Sequence, residues 1–123
     1  MEIILDTSFI LSCLKEKIDF LDAENFGKLV LATQVLEELE NLTEKDKAKE
    51  REIARLALKI IEKNKDKFKI IELERKYVDS GILKYVQGNT EVIVATIDKE
   101  LKRKLKGIAR ILTIRARKKL SLE

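Results

Sequence analysis

Four acids, Asp6, Glu38, Asp79 and Asp98, are the residues of this 123-residue chain whose types and spacing suit chemistry best. The chain contains no histidine and one cysteine, Cys13. That removes the imidazole base, every Ser-His or Cys-His nucleophile, an internal disulfide and a conventional zinc site. What remains is carboxylates, lysines, hydroxyls or a bound hard metal. Carboxylates crowded together raise one another's pKa unless something positive sits between them. With oxygen ligands only, that something is most naturally Mg²⁺ or Mn²⁺. An ion held this way can activate water and neutralise charge on a transferring phosphoryl group.

The elements that must position these acids can be read from periodicity. "MEIILD", "KLVLAT", "FKIIEL", "EVIVATI" and "ARILTIR" read as strands. Between them, "TSFILSCLKEK", a short helix in "IDFLDAEN", "QVLEELENL", a long amphipathic helix over 45–63, "YVDSGILKYVQ" and "KELKRKLKG" read as helices. Thr7 or Ser8 and Thr33 are the expected caps of the first and third of these. The long helix is expected to bury Ile53, Leu56, Ala57, Ile60 and Ile61. Strands alternating with helices predict one domain over 1–123, a three-layer α/β/α fold around a central parallel sheet of about five strands.

A parallel sheet gathers its strand C-termini on one edge, where ligands bind near the topological switch point. Asp6 and Asp98 each end a strand. Asp79 opens a helix, and the first turn of a helix after a strand lies at the same edge. In "VLEELENL", Val35, Leu36, Leu39 and Leu42 define the apolar face, and about 100° per residue leaves Glu38 on its flank, nearest a cleft. Each acid also has a plain structural role open to it. Asp6, Asp79 and Asp98 suit helix caps, and Glu38 a solvated helix surface. Their convergence on one edge favours a metal site.

Charge is unevenly spread. The net charge is +4, yet residues 99–123 hold ten Lys/Arg against two Glu, so the first 98 residues sum to −4. That asymmetry suggests an anionic partner such as nucleic acid. The charged fraction of 39%, dominated by Lys and Glu, resembles hyperthermophile usage. No apolar run approaches the roughly 20 residues that span a membrane, and no signal peptide is evident, so a cytoplasmic location is expected.

"ILDTSFIL", "TQVLEELENL", "VDSGILKYV" and "VIVATIDKELKRKLK" together resemble PIN-domain ribonucleases, in order and spacing and over nearly the whole chain. The pattern is most similar to archaeal single-domain members related to ribosomal-RNA-processing PIN endonucleases. The resemblance implies a five-stranded parallel sheet and Mg²⁺- or Mn²⁺-dependent cleavage of RNA. It places the metal-binding, catalytic acids at Asp6, Glu38, Asp79 and Asp98. It also implies supporting hydroxyls at Ser8 and Thr96, with Glu100 a weaker acid candidate. Ser8 and Ile97 stand where members often carry Asn.

The mechanism expected on this basis cuts single-stranded RNA with metal-activated water, leaving a 5′-phosphate and a 3′-hydroxyl. Lys99, Lys102, Arg103, Lys106, Arg115 and Arg117 would attract phosphates, adding affinity but little sequence information. The role implied is processing of RNA, ribosomal RNA foremost. The alternatives are the toxin of a toxin–antitoxin pair and a non-catalytic ribosome-assembly module. Expected partners are RNA, a second copy of the chain, and an antitoxin or a ribosome-assembly protein. Aspartyl phosphatases want a second Asp where Ser8 stands. Receiver domains want an Asp that "FKIIELERK" lacks.

Overall fold

The computed structural model describes residues 1–89, 91–116 and 118–123. Its centre is a six-stranded sheet made of β1 (Glu2–Leu5), β2 (Lys28–Ala32), β3 (Phe68–Ile71), β4 (Val92–Ala95), β5 (Arg110–Arg115) and β6 (Lys119–Leu122), in the order β3-β2-β1-β4-β5-β6. The first five are parallel, and β6 turns back antiparallel on β5. From β1 the chain moves outward through β2 to β3. It then crosses to β4 on the other side of β1 and continues outward through β5. The switch point therefore lies between β1 and β4.

Apolar strands with few polar interruptions suit a sheet covered on both faces. Ile3, Ile4 and Leu5 of β1 and Val94 and Ala95 of β4 have no exposed surface. The helices fall into two groups that pack among themselves. One holds α1 (Thr7–Lys15), α2 (Thr33–Leu42) and α3 (Ala48–Lys63), and the other α4 (Val78–Gln87) and α5 (Lys99–Leu105). Right-handed crossovers put the two groups on opposite faces, which makes three layers. A 3-10 segment, Phe20–Phe26, occupies the position expected of the short second helix.

Three sequence expectations change. The basic tail after β5 holds a strand, in which Leu120 and Leu122 alternate with Lys119 and Ser121. Four residues of alternation are too short a signal to read without the partner edge. Helix α3 buries Ala54, Ala57 and Ile61, whereas Leu56 is 46% exposed. The small alanines let α3 lie close to its neighbours, and that rotates Leu56 out. The cap of α1 is Asp6, and that of α2 is Ala32. Thr7, Ser8 and Thr33 are therefore not the capping residues, and the first two use their hydroxyls elsewhere.

Candidate metal centre

Asp6 follows β1 directly, and its amide continues the ladder by donating to the Ala95 carbonyl at 2.9 Å. Its side chain forms no hydrogen bond in the manner of a helix cap and is only 5% exposed. Instead, Oδ2 accepts the hydroxyls of Ser8 at 2.8 Å and Thr96 at 2.7 Å. Ser8 comes from the first turn of α1, and Thr96 from the end of the neighbouring strand. Only pairing β1 beside β4 brings these together. A buried carboxylate without hydrogen bonds would be very costly, and the two hydroxyls offset part of that cost.

The other three acids arrive from three further elements. A cleft of about 390 Å³ is lined by Asp6, Thr7, Ser8, Glu38, Asn41, Leu42, Lys45, Val78, Asp79 and Asp98. Glu38, on α2, accepts the Thr7 hydroxyl. Asp79 occupies the second position of α4, whose cap is Tyr77, so Asp79 is not the cap. Asp98 does cap α5. Its Oδ1 accepts the amides of Glu100 at 2.8 Å and Leu101 at 3.1 Å, which leaves Oδ2 uncommitted among the described residues. Capping and facing the cleft are compatible because the two oxygens divide the tasks.

The electrostatics of the cleft are unbalanced. Burial pushes the Asp6 carboxyl above its ordinary value, the Thr96 and Ser8 hydroxyls oppose that, and the charge on Asp79 adds to it. Burial raises Glu38 as well, against the pull of Thr7 and with help from Asp6 and Asp79. Asp79 is raised by burial and then by Asp98, with Lys104 opposing and Glu100 adding. Among the described residues none of the four acids forms an ion pair.

A cation would restore the balance. The lining offers carboxylate, hydroxyl and amide oxygens, while Cys13 lies in the core with its thiol pushed up to about 12 by burial. This donor set fits a hard divalent ion. Among the described residues no three acids are drawn together tightly enough to grip an ion as they stand. Closing on one would fall to Glu38, which is exposed, and Asp79, which is half-buried.

Other expected site residues stand elsewhere. Glu100 is exposed and pairs with Arg103 rather than facing the cleft. Lys99, Lys102, Arg103 and Lys106 share a separate groove along α5 with Glu123. There Lys102 donates to Thr113 at 2.7 Å and pairs with Glu123 at 3.2 Å. Arg115 pairs with Glu123 at 3.2 Å, and Arg117 lies outside the described residues. Ile97 contributes through its backbone, its N–H reaching Ser8 Oγ at 3.3 Å, while the Asp98 N–H reaches Thr96 Oγ1 at 3.1 Å. Sequence reading missed Thr7, Asn41 and Lys45 as lining residues. Only Asn41 carried a signal, since it follows Glu38 by three residues on the same helical flank, whereas Lys45 lies beyond the end of α2.

Comparison with known proteins agrees with this architecture. A family model described as a PIN like domain matches residues 3–119. Ribonuclease VapC4 of Methanocaldococcus jannaschii is 39% identical over 112 residues, covering 85% of this chain and 82% of that protein. The structure of the PIN domain endonuclease Utp24 superposes with a TM-score of 0.80 at 27% identity, over 99% of this chain and 90% of that one.

Proposed function

The chain belongs to the PIN-like domain family, and from that premise we propose that it is a divalent-metal-dependent endoribonuclease acting on single-stranded RNA. The observation that carries this reading is the cleft itself. Four acids from four elements line it, three with raised pKa, and among the described residues no cation is paired to any of them. The names of the relatives, a ribonuclease and an endonuclease, support the same chemistry.

Asp6, Glu38, Asp79 and Asp98 would hold Mg²⁺ or Mn²⁺. When bound, such an ion supplies positive charge for the phosphoryl oxygens and makes water a usable nucleophile at neutral pH. The chain's residues do the rest. Ser8 and Thr96 fix Asp6 by occupying one oxygen. Thr7 orients Glu38. Asp98 keeps Oδ2 for the cleft while Oδ1 holds the start of α5. Lys45, exposed at the rim, offers a charge to a phosphate of the bound strand.

The test is a labelled single-stranded RNA incubated with the protein and Mg²⁺ or Mn²⁺. Products ending in a 5′-phosphate and a 3′-hydroxyl are expected, and excess EDTA should abolish them. Cleavage that survives EDTA, or that survives Asp6→Asn with metal present, would rule the mechanism out. We assign the activity to RNA processing in the cell. Growth arrest on expression of the chain alone, relieved by the product of an adjacent gene, would instead identify a toxin.

A further inference from the structure

Tyr77 is the aromatic residue most at odds with its surroundings. It is 70% exposed, and it sits beside Val78 and Asp79, both of which line the acidic cleft. The loop that delivers it, 72–77, reads "ELERKY", and Arg75, Lys76 and Tyr77 are all exposed. An exposed tyrosine in a solvated loop is commonplace. This one is unusual in how firmly its loop is held.

Three anchors fix that loop. The Gln34 side chain clamps it with both ends of its amide, donating to the carbonyls of Leu73 at 3.0 Å and Arg75 at 3.2 Å and accepting the Leu73 amide at 3.1 Å. Leu73 is buried against Gly81, where an added Cβ would lie 2.8 Å from Leu73 Cβ, so a glycine is needed for the loop to seat. The Tyr77 carbonyl is held by the Gly81 amide at 2.9 Å and the Ser80 hydroxyl at 3.3 Å. Gln34 is one helical turn before Glu38 on α2, so the same helix supplies a cleft acid and the clamp.

The Lys76 ammonium lies 5.7 Å from the Tyr77 ring centroid, a cation–π distance. Neither Arg75 nor Lys76 pairs with an acid among the described residues. An aromatic ring with unpaired cations beside it is the combination single-stranded nucleic acid uses, bases stacking on the ring and phosphates meeting the charges. Duplex bases are already stacked and present no face to such a ring.

We infer that Tyr77 is a stacking platform for an unpaired RNA base next to the phosphate in the acidic cleft, with Arg75 and Lys76 holding the flanking backbone. Gln34 acts as a positioning residue that keeps the platform in place. The inference rests on the ribonuclease reading of the cleft, but stacking can be measured without cleavage.

The chain has no tryptophan, so Tyr77→Trp creates a single indole reporter at this site. In EDTA, a mixed-sequence single-stranded RNA should quench that fluorescence, and an abasic ribose-phosphate oligomer of equal length should not. Anisotropy of the labelled RNA should show binding weakened about tenfold in Tyr77→Ala and restored to within about twofold in Tyr77→Phe. Equal quenching by the abasic oligomer, unchanged affinity in Tyr77→Ala, or no RNA binding at all would overturn the inference. Base-dependent quenching by a protein that fails to cleave RNA in Mn²⁺ would uphold the platform and sink the nuclease reading.

Discussion

Strand β1 carries a carboxylate near each end, and the fold treats the two in opposite ways. At its start, Glu2 receives the Lys69 ammonium at 2.7 Å and the Tyr85 hydroxyl at 2.5 Å. Those two hydrogen bonds hold its carboxyl below the usual value. Just past its other end, Asp6 receives two neutral hydroxyls and, among the described residues, no cation, and burial drives its carboxyl up. Glu2 is a completed interaction. Asp6 has no counter-charge among the described residues, which is what the proposed metal would supply. An acid left short of a counter-charge in a prepared, buried position marks a binding site better than an acid cluster alone does.

The strongest way to break this contrast is Asp6→Asn. RNA cleavage should fall by more than about 100-fold, beyond the loss typical of removing a group that merely supports a metal ligand. Melting in EDTA should be no lower than for the unaltered chain, because a buried charge has been removed. A variant that melts much lower would recast Asp6 as a residue the fold needs for its stability.

Thr96→Val should come next. Removing one of the two hydroxyls on Asp6, and the acceptor for the Asp98 amide, should reduce activity about 10- to 100-fold. Part of that loss should reverse at high Mn²⁺, because the defect is in metal affinity. A loss independent of metal concentration would contradict a positioning role.

The pH dependence of metal-free stability sharpens the contrast further. Asp6, Glu38 and Asp79 have folded-state values raised above the unfolded ones. The folded state therefore holds their protons more tightly, and their contribution falls as pH rises from the ordinary carboxylate range through the raised values. Glu2 has the opposite sign. Its contribution is present above the unfolded value and is lost as pH falls through the depressed one. Asp79→Asn should accordingly flatten the loss on the alkaline side in denaturant titrations in EDTA, and Glu2→Gln the loss on the acid side.

The smallest effect expected is that of Glu2→Gln on stability at neutral pH. The Lys69 partner is exposed to solvent, so the cost should be no more than about 1 kcal/mol, with RNA cleavage unchanged. A marked loss of activity would mean that the two ends of β1 are coupled, and the contrast between them would fail.

The sequence by itself determined the alternation of strands and helices, the parallel sheet and the positions of the acids at strand ends and helix starts. These are local properties. Burial on both faces writes apolar runs, helices repeat every 3.6 residues, and an acid after a strand is visible in the chain order. The PIN-like resemblance added the family, which the match over residues 3–119 supports.

Tertiary structure alone decided how each acid is treated. Thr96 reaches Asp6 across 90 residues because β4 lies beside β1, and neither hydroxyl announces its partner in the sequence. The basic helix expected to attract phosphates turns most of its charge into a groove separate from the cleft, where Glu123 pairs with Lys102. Nothing along the chain marks Gln34 as the partner of the loop it clamps, 39 residues later. Leu56 was assigned to the core because hydrophobicity reports a preference for burial, while packing against α1 and α2 sets which side of α3 is covered. Periodicity is written along the chain. Partnership depends on strand order and register, which only the folded sheet supplies.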